Sequence, residues 1–201
     1  MPKLLPGLNL IAGLDGETSG TYTQNMEFLQ NLLDEGLLIR RINIRQVLPI
    51  RREFSVKVNP NRFKKFKEDV RNDIDHEMLK RLVPKGTVLK DVFMEIHDGN
   101  TTFGRQIGSY PLLVGIPYKL ELGRSYDIVI TDWGMRSITG MENEIDINHL
   151  TMTSLAGLPG IGKKRASKIV MARPFTDLAQ LEKVIDDPHV FNDLRDHIVL
   201  K

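Results

Sequence analysis

The run "LPGIGKKRA", Leu158–Ala166, sets two glycines around one isoleucine, with a proline ahead and three cations behind. Gly160 and Gly162 lack a Cβ, so they can take tight turn geometry and leave backbone N–H groups uncovered. A helix starting at such a turn presents unpaired N–H groups and the positive end of its dipole, which together attract phosphate. Ile161 is expected to point inward and anchor the turn, while Lys163, Lys164 and Lys168 neutralise neighbouring phosphates. None of these groups reads a base edge, so the expected chemistry is sequence-independent contact with a nucleic-acid backbone. The competing reading is a hairpin that only packs helices or binds a protein.

Charge supports a polyanion without proving one. The net charge of the 201 residues is only +2, but it is segregated: +8 between Gly36 and Arg71, +5 between Thr151 and Phe175, and −11 elsewhere. Such segregation suits one or two basic surfaces, or equally a set of solvated faces. The absence of cysteine excludes disulfides, thiolate nucleophiles and cysteine-ligated metal or iron–sulfur centres for this chain. The five histidines never fall at ligand spacing with carboxylates, so no metal site is expected. No apolar run approaches the roughly 18 residues of a membrane span, and no secretory pattern opens the sequence. A cytoplasmic protein without membrane contact is expected.

Four segments must position these residues. Residues 1–60 read as a βαβ unit. "LNLIAGL" is a short buried strand, and Thr18 or Ser19 of "DGETSG" is the expected N-cap of the next helix. Tyr22, Met26, Leu29 and Leu33 share one face of that helix, and Gly36 ends it. In the following strand, Arg41, Asn43 and Arg45 alternate with Ile42 and Ile44. One such unit closes no sheet or barrel, so it reads as the tail of something larger. Residues 61–83 form a basic amphipathic connecting helix, marked by Phe63, Phe66, Val70, Ile74 and Leu82. Residues 84–149 switch to period two. Strands are expected near 87–97, 102–108, 111–116, 125–132 and 135–141, which suggests a small OB-like barrel. Residues 150–201 return to helix around the glycine hairpin, with a last helix over 190–198. The fold class is thus α+β and multidomain.

"GLPGIGKKRASKI", continued by "RPF" and "LEKV", resembles the helix-hairpin-helix module. A second turn, "VIDDPHV", has no glycine and two aspartates, so one phosphate site is expected, not two. "RPFTDLAQLEKVIDD" lacks the segment and catalytic aspartate of helix-hairpin-helix glycosylases; Asp177, Asp186 and Asp187 read as cap or surface acids.

"LNLIAGLDGETSGTYTQNMEFLQNLL" is similar to a late strand–"GET"–helix segment of radical S-adenosylmethionine barrels, notably the methylthiotransferases. "KGTVLKDVFMEI", "FGRQIGSYPLLVGI", "ELGRSYDIVIT" and "SITG" resemble a TRAM domain, an RNA-binding barrel. The succession looks like the C-terminal portion of an archaeal-type radical S-adenosylmethionine protein. That resemblance implies S-adenosylmethionine and a [4Fe–4S] cluster in a longer parent, and neither cofactor's full site in this chain. It makes the missing N-terminal part a partner, favours RNA over DNA, and leaves the chain alone non-catalytic. Gly13, Gly16 and Glu17 are then cofactor-binding candidates, or else turn and capping residues. Arg41, Asn43 and Arg45 line a substrate cavity if their face points into a barrel, and are an ordinary polar face if not. Arg105, Tyr110, Lys119 and Arg124 are candidate RNA contacts, with Tyr110 as a stacking surface; Trp133 either stacks or is core. The alternative is a stand-alone, sequence-independent DNA- or RNA-binding protein.

Overall fold

Parallel pairing of two short strands starts the architecture. In the computed structural model, which describes residues 5–48, 50–51, 57–108, 111–134 and 137–201, β1 (Gly7–Ala12) pairs with β2 (Arg41–Gln46). The register sets Leu8 against Ile42 and Leu10 against Ile44. α1 (Thr21–Asp34) connects the strands, as the βαβ reading requires. The expected Thr18 or Ser19 cap is corrected: Gly20 occupies the N-cap, with no side-chain hydrogen bond. The Thr18 hydroxyl is used one turn earlier, accepting from the Gly20 N–H at 3.3 Å. The helix ends in a Schellman motif. Gly36, at φ +75°, donates to Leu33 O, and Leu37 donates to Leu32 O.

A long helix covers the apolar side of this sheet. α2 (Pro60–Asp69) passes through a π-helical turn (Val70–Asp75) into α3 (His76–Leu82). Asn59 caps it, its side chain accepting from the N–H groups of Asn61 and Arg62, and Pro60 fits the first turn. Its buried residues, Phe66, Val70, Ile74, Met78 and Leu82, recur every four positions. In a pure α-helix each such step overshoots a 3.6-residue turn by about 40°. The wider π turn takes up that drift and keeps one apolar stripe on one side. Phe66, Val70, Ile74 and Met78 pack with Leu29, Leu33, Ile39 and Ile42. The helix expected as a connector is therefore also part of the first unit's core. The two compact units are Met1–Pro84 and Lys85–Lys201.

In the second unit, alternation gives β3 (Val88–Asp98), β4 (Thr101–Gln106), β5 (Leu113–Ile116), β6 (Ser125–Trp133) and β7 (Ser137–Glu142). They close into a barrel in the order β3-β4-β5-β7-β6. All neighbours are antiparallel except β5 and β7. Val92, Met94, Val114, Ile116, Ile128, Ile130 and Ile138 fill it. A Cβ on Gly140 would overlap Ile128, so the crossing of β6 and β7 needs a residue without one. After the barrel come β8 (Ile145–Asp146), α4 (Met152–Gly157), α5 (Gly162–Ala172), α6 (Leu178–Ile185) and α7 (Pro188–Leu194). The last expected helix is shorter than read: a 3₁₀ turn (Arg195–His197) leads into β9 (Ile198–Val199), which pairs in parallel with β8.

Beside this core, the buried Tyr118 hydroxyl accepts from the Glu142 N–H at 3.2 Å. Burial pushes the Glu142 carboxyl above its ordinary value, partly offset by its hydrogen bond to Tyr118. A raised folded-state value favours the protonated form, so its contribution to stability is full at low pH and is lost as pH rises through that value. Glu142→Gln is therefore expected to raise the thermal midpoint at pH 7. The gain should vanish near about pH 3, where the carboxyl is neutral in both states; melting curves at the two pH values check this.

Candidate nucleic-acid interface

The hairpin is built by burial on one side and openness on the other. Thr151 caps α4, its hydroxyl accepting from the Ser154 N–H at 3.1 Å. Leu158 and Ile161 are both buried, so the turn between α4 and α5 is pinned by two apolar anchors. The Ile161 N–H closes the turn on Leu158 O at 3.2 Å. Gly160 sits at φ +71°, and a Cβ there would lie 2.5 Å from Val190 Cγ2, so the turn also needs a glycine for the approach of α7. Gly162 differs: its φ is +59°, but nothing lies within 4 Å of where its Cβ would be. Its backbone conformation opens space in front of α5.

α5 begins there with no side-chain cap. Lys163, Lys164 and Lys168 are exposed, and among the described residues none of them makes an ion pair with an acid. The structure thus brings Gly160, Ile161, Gly162, Lys163 and Lys164 together at one turn, with Lys168 one helical turn beyond Lys164. The third cation of the motif has another use. Arg165 is half-buried and donates to Gly160 O (2.7 Å), Ile185 O (2.9 Å) and Asp187 Oδ2 (2.8 Å).

Asp187 also accepts from the N–H groups of His189 and Val190, capping α7. Those backbone donors, led by Val190, and the Arg165 charge hold its carboxyl below the ordinary range. Asp177 caps α6 by accepting from the Gln180 N–H at 2.9 Å. Asp186 ends α6 in the left-handed region at φ +55°, where the first hairpin has a glycine. The second turn is therefore a structural partner of the first, with Asp187 engaged by Arg165 and by the start of α7.

Residues 141–198 match the helix-hairpin-helix motif family. The chain contains a helix-hairpin-helix. It is 50% identical over 152 residues to an uncharacterized protein of Methanocaldococcus jannaschii, covering 70% of this chain and 27% of that protein. It is 37% identical over 191 residues to an uncharacterized protein of Archaeoglobus fulgidus, covering 92% of this chain and 35% of that protein. The chain thus spans about a quarter to a third of the length of these archaeal relatives.

The other candidate residues belong to other elements. Arg105 on β4 pairs with Glu95 at 2.5 Å, and Arg124 pairs with Glu121 at 2.9 Å. Lys119 is exposed after β5, and Tyr110 lies outside the described residues. Trp133 ends β6 half-buried. Phe93, which the sequence reading did not single out, stands opposite Arg105 in the ladder and is 38% exposed. Its alternation with Val92 and Met94, both buried, was the available signal for an outward-facing aromatic ring.

In the first unit, Arg41 and Arg45 are exposed and Asn43 donates to Asn9 Oδ1 at 3.0 Å. These residues share the sheet face opposite the apolar core. Gly13 and Gly16 take φ +92° and +89° in the turn after β1. Glu17 folds back to accept from the Gly13 N–H, and a Cβ on Gly13 would lie 2.9 Å from Val58. Turn geometry and packing account for these residues without a ligand. Among the described residues, no cluster of histidine and acidic side chains has metal-binding geometry, and no helix is long and apolar enough to cross a membrane.

The two hairpin glycines should respond differently to alanine. Gly160→Ala meets both the positive φ and Val190, and is expected to destabilise the second unit by about 2–4 kcal/mol. Gly162→Ala meets only the conformational cost, about 1 kcal/mol. Chemical denaturation followed at Trp133, in the second unit, measures both.

Proposed function

We propose that this chain is the nucleic-acid-binding C-terminal part of a longer radical S-adenosylmethionine enzyme, binding RNA in preference to DNA through sequence-independent backbone contacts. The observation that carries the binding is the open face of Gly162. An uncapped 11-residue helix starts there beside Lys163 and Lys164, both exposed and without acidic partners among the described residues. Backbone N–H groups at such a start donate to an anion, and the lysines supply point charges to adjacent phosphates. The helix-hairpin-helix match supports the same chemistry.

The preference for RNA rests on the barrel. Its closed order, with β5 and β7 as the parallel pair, fits an OB-type or TRAM-like module. The radical-enzyme assignment rests on the resemblance of the first segment and on the length of the relatives, of which this chain covers 27% and 35%. The chain has no cysteine, so a cysteine-held [4Fe–4S] cluster does not fit its residues and would belong to the remainder of a longer polypeptide. Glu17 is already engaged by the Gly13 N–H, so these residues offer S-adenosylmethionine at most one edge of a site.

Lys163→Glu/Lys164→Glu tests the interface. Affinity for oligonucleotides should fall at least tenfold across sequences, and the slope of log K against log salt should flatten by about 1.4–1.8. Fluorescence anisotropy from 50 to 200 mM salt reads both; an unchanged slope would sink the assignment. Immunodetection in source-cell extract tests the parentage. A product of about 22.9 kDa, the mass of this chain, would overturn the longer-enzyme reading and leave a binding module.

A further inference from the structure

Beyond the hairpin, α5 carries a second feature that phosphate binding leaves unused. Lys164, Lys168 and Met171 follow one another at spacings of four and three, so they share a helix face. Met171 is 84% exposed, an unusual position for a large apolar side chain, and neighbouring Val170 is 39% exposed. Met171, Ala172 and Lys168 of α5 face Lys183, Val184 and Asp186 of α6 across an open groove of about 360 Å³. Its floor is apolar and its rims carry two lysines and one carboxylate. Among the described residues, none of these three charged groups has an ion-pair partner.

We propose that this groove receives one unstacked nucleoside of a single-stranded nucleic acid whose phosphates lie on the hairpin. The proposal rests on the reading of the hairpin as a phosphate site and adds what kind of strand it takes. Charge complementarity selects a polyanion: exposed Lys168 and Lys183 flank the groove, against the single carboxylate of Asp186. The apolar floor selects an exposed base, because a thioether makes favourable contact with an aromatic ring. Asp186 can accept from a base amino group or a ribose hydroxyl. Met171 lies about 13 Å along the helix from Gly162, a span that a short single-stranded segment bridges. A duplex keeps its bases stacked and paired, and so offers the groove nothing but backbone.

The test uses the full 201-residue chain with 12-nucleotide RNA and DNA, each as a single strand and as a duplex, by fluorescence anisotropy at fixed salt. The unmodified chain should bind the single strand of either sugar more tightly than its duplex. Met171→Ser, a neutral change at an exposed position, should weaken single-strand binding about three- to tenfold and leave duplex binding within twofold. Met171→Leu should retain the preference. Lys163→Glu/Lys164→Glu should weaken both forms. Tighter duplex binding, or a strand preference unmoved by Met171→Ser as for a groove that docks a protein helix, overturns this inference while leaving the hairpin reading intact. Absence of binding to any strand overturns both.

Discussion

The three-way grip of Arg165 is the contact on which the interface depends. A guanidinium donates in a fixed fork, and here the fork spans two hairpins: Gly160 O on the first, Ile185 O and Asp187 on the second. The first carbonyl belongs to the turn that opens α5, so the conformation of that turn is held by a side chain of the helix it opens. A lysine could not hold three acceptors in this geometry. The motif "GKKRA" therefore divides its cations by chemistry, with mobile ammonium groups outside and the planar guanidinium inside.

This paired hairpin is in turn fixed to the barrel. A Cβ on Gly157, at the end of α4, would lie 2.5 Å from Pro117 O, so helix and barrel loop meet backbone to backbone. Asn148 accepts from the Phe175 N–H and donates to Phe175 O, tying the segment after α5 to the segment before α4. The β8–β9 pair then ties the C-terminal residues to the segment that follows β7. Backbone donors aimed at an anion are effective only if they need not reorganise. These three attachments tie the hairpin into the second unit, while Lys163, Lys164 and Lys168 stay exposed.

Elements with a clean period could be read before folding. The alternation along 88–98 and 125–133 placed the barrel strands, and the helical spacing of Tyr22, Met26, Leu29 and Leu33 placed the crossover. What escaped depended on partners distant in sequence. The two-residue strands β8 and β9 are too short to carry a period and exist only because they meet. Arg165 looks like its lysine neighbours until Asp187 is beside it. The π turn was visible in principle, since buried positions every four residues from Phe66 to Leu82 fit no α-helix of that length. The Gly160 requirement was legible as a turn, but not as a contact with Val190.

Charge segregation acquires different meanings in the two units, which a count cannot separate. Part of the basic stretch ending at Arg71 is engaged by its own surroundings. Lys65 pairs with Asp69 at 2.9 Å, Lys64 lies 3.9 Å from Glu68, and Lys67 sits over the Phe63 ring. Arg62 donates to Ser19 O and lies over the Tyr22 ring. Exposed i,i+4 pairs contribute only about 0.3–0.5 kcal/mol each, and the +8 balance of the stretch already counts Glu68 and Asp69, so the excess remains. Along α5 an acid partner comes from outside the segment, with Arg165 pairing Asp187, while Lys163, Lys164 and Lys168 have no acidic partner among the described residues. The smaller excess there lies partly on exposed lysines beside the uncapped start of α5.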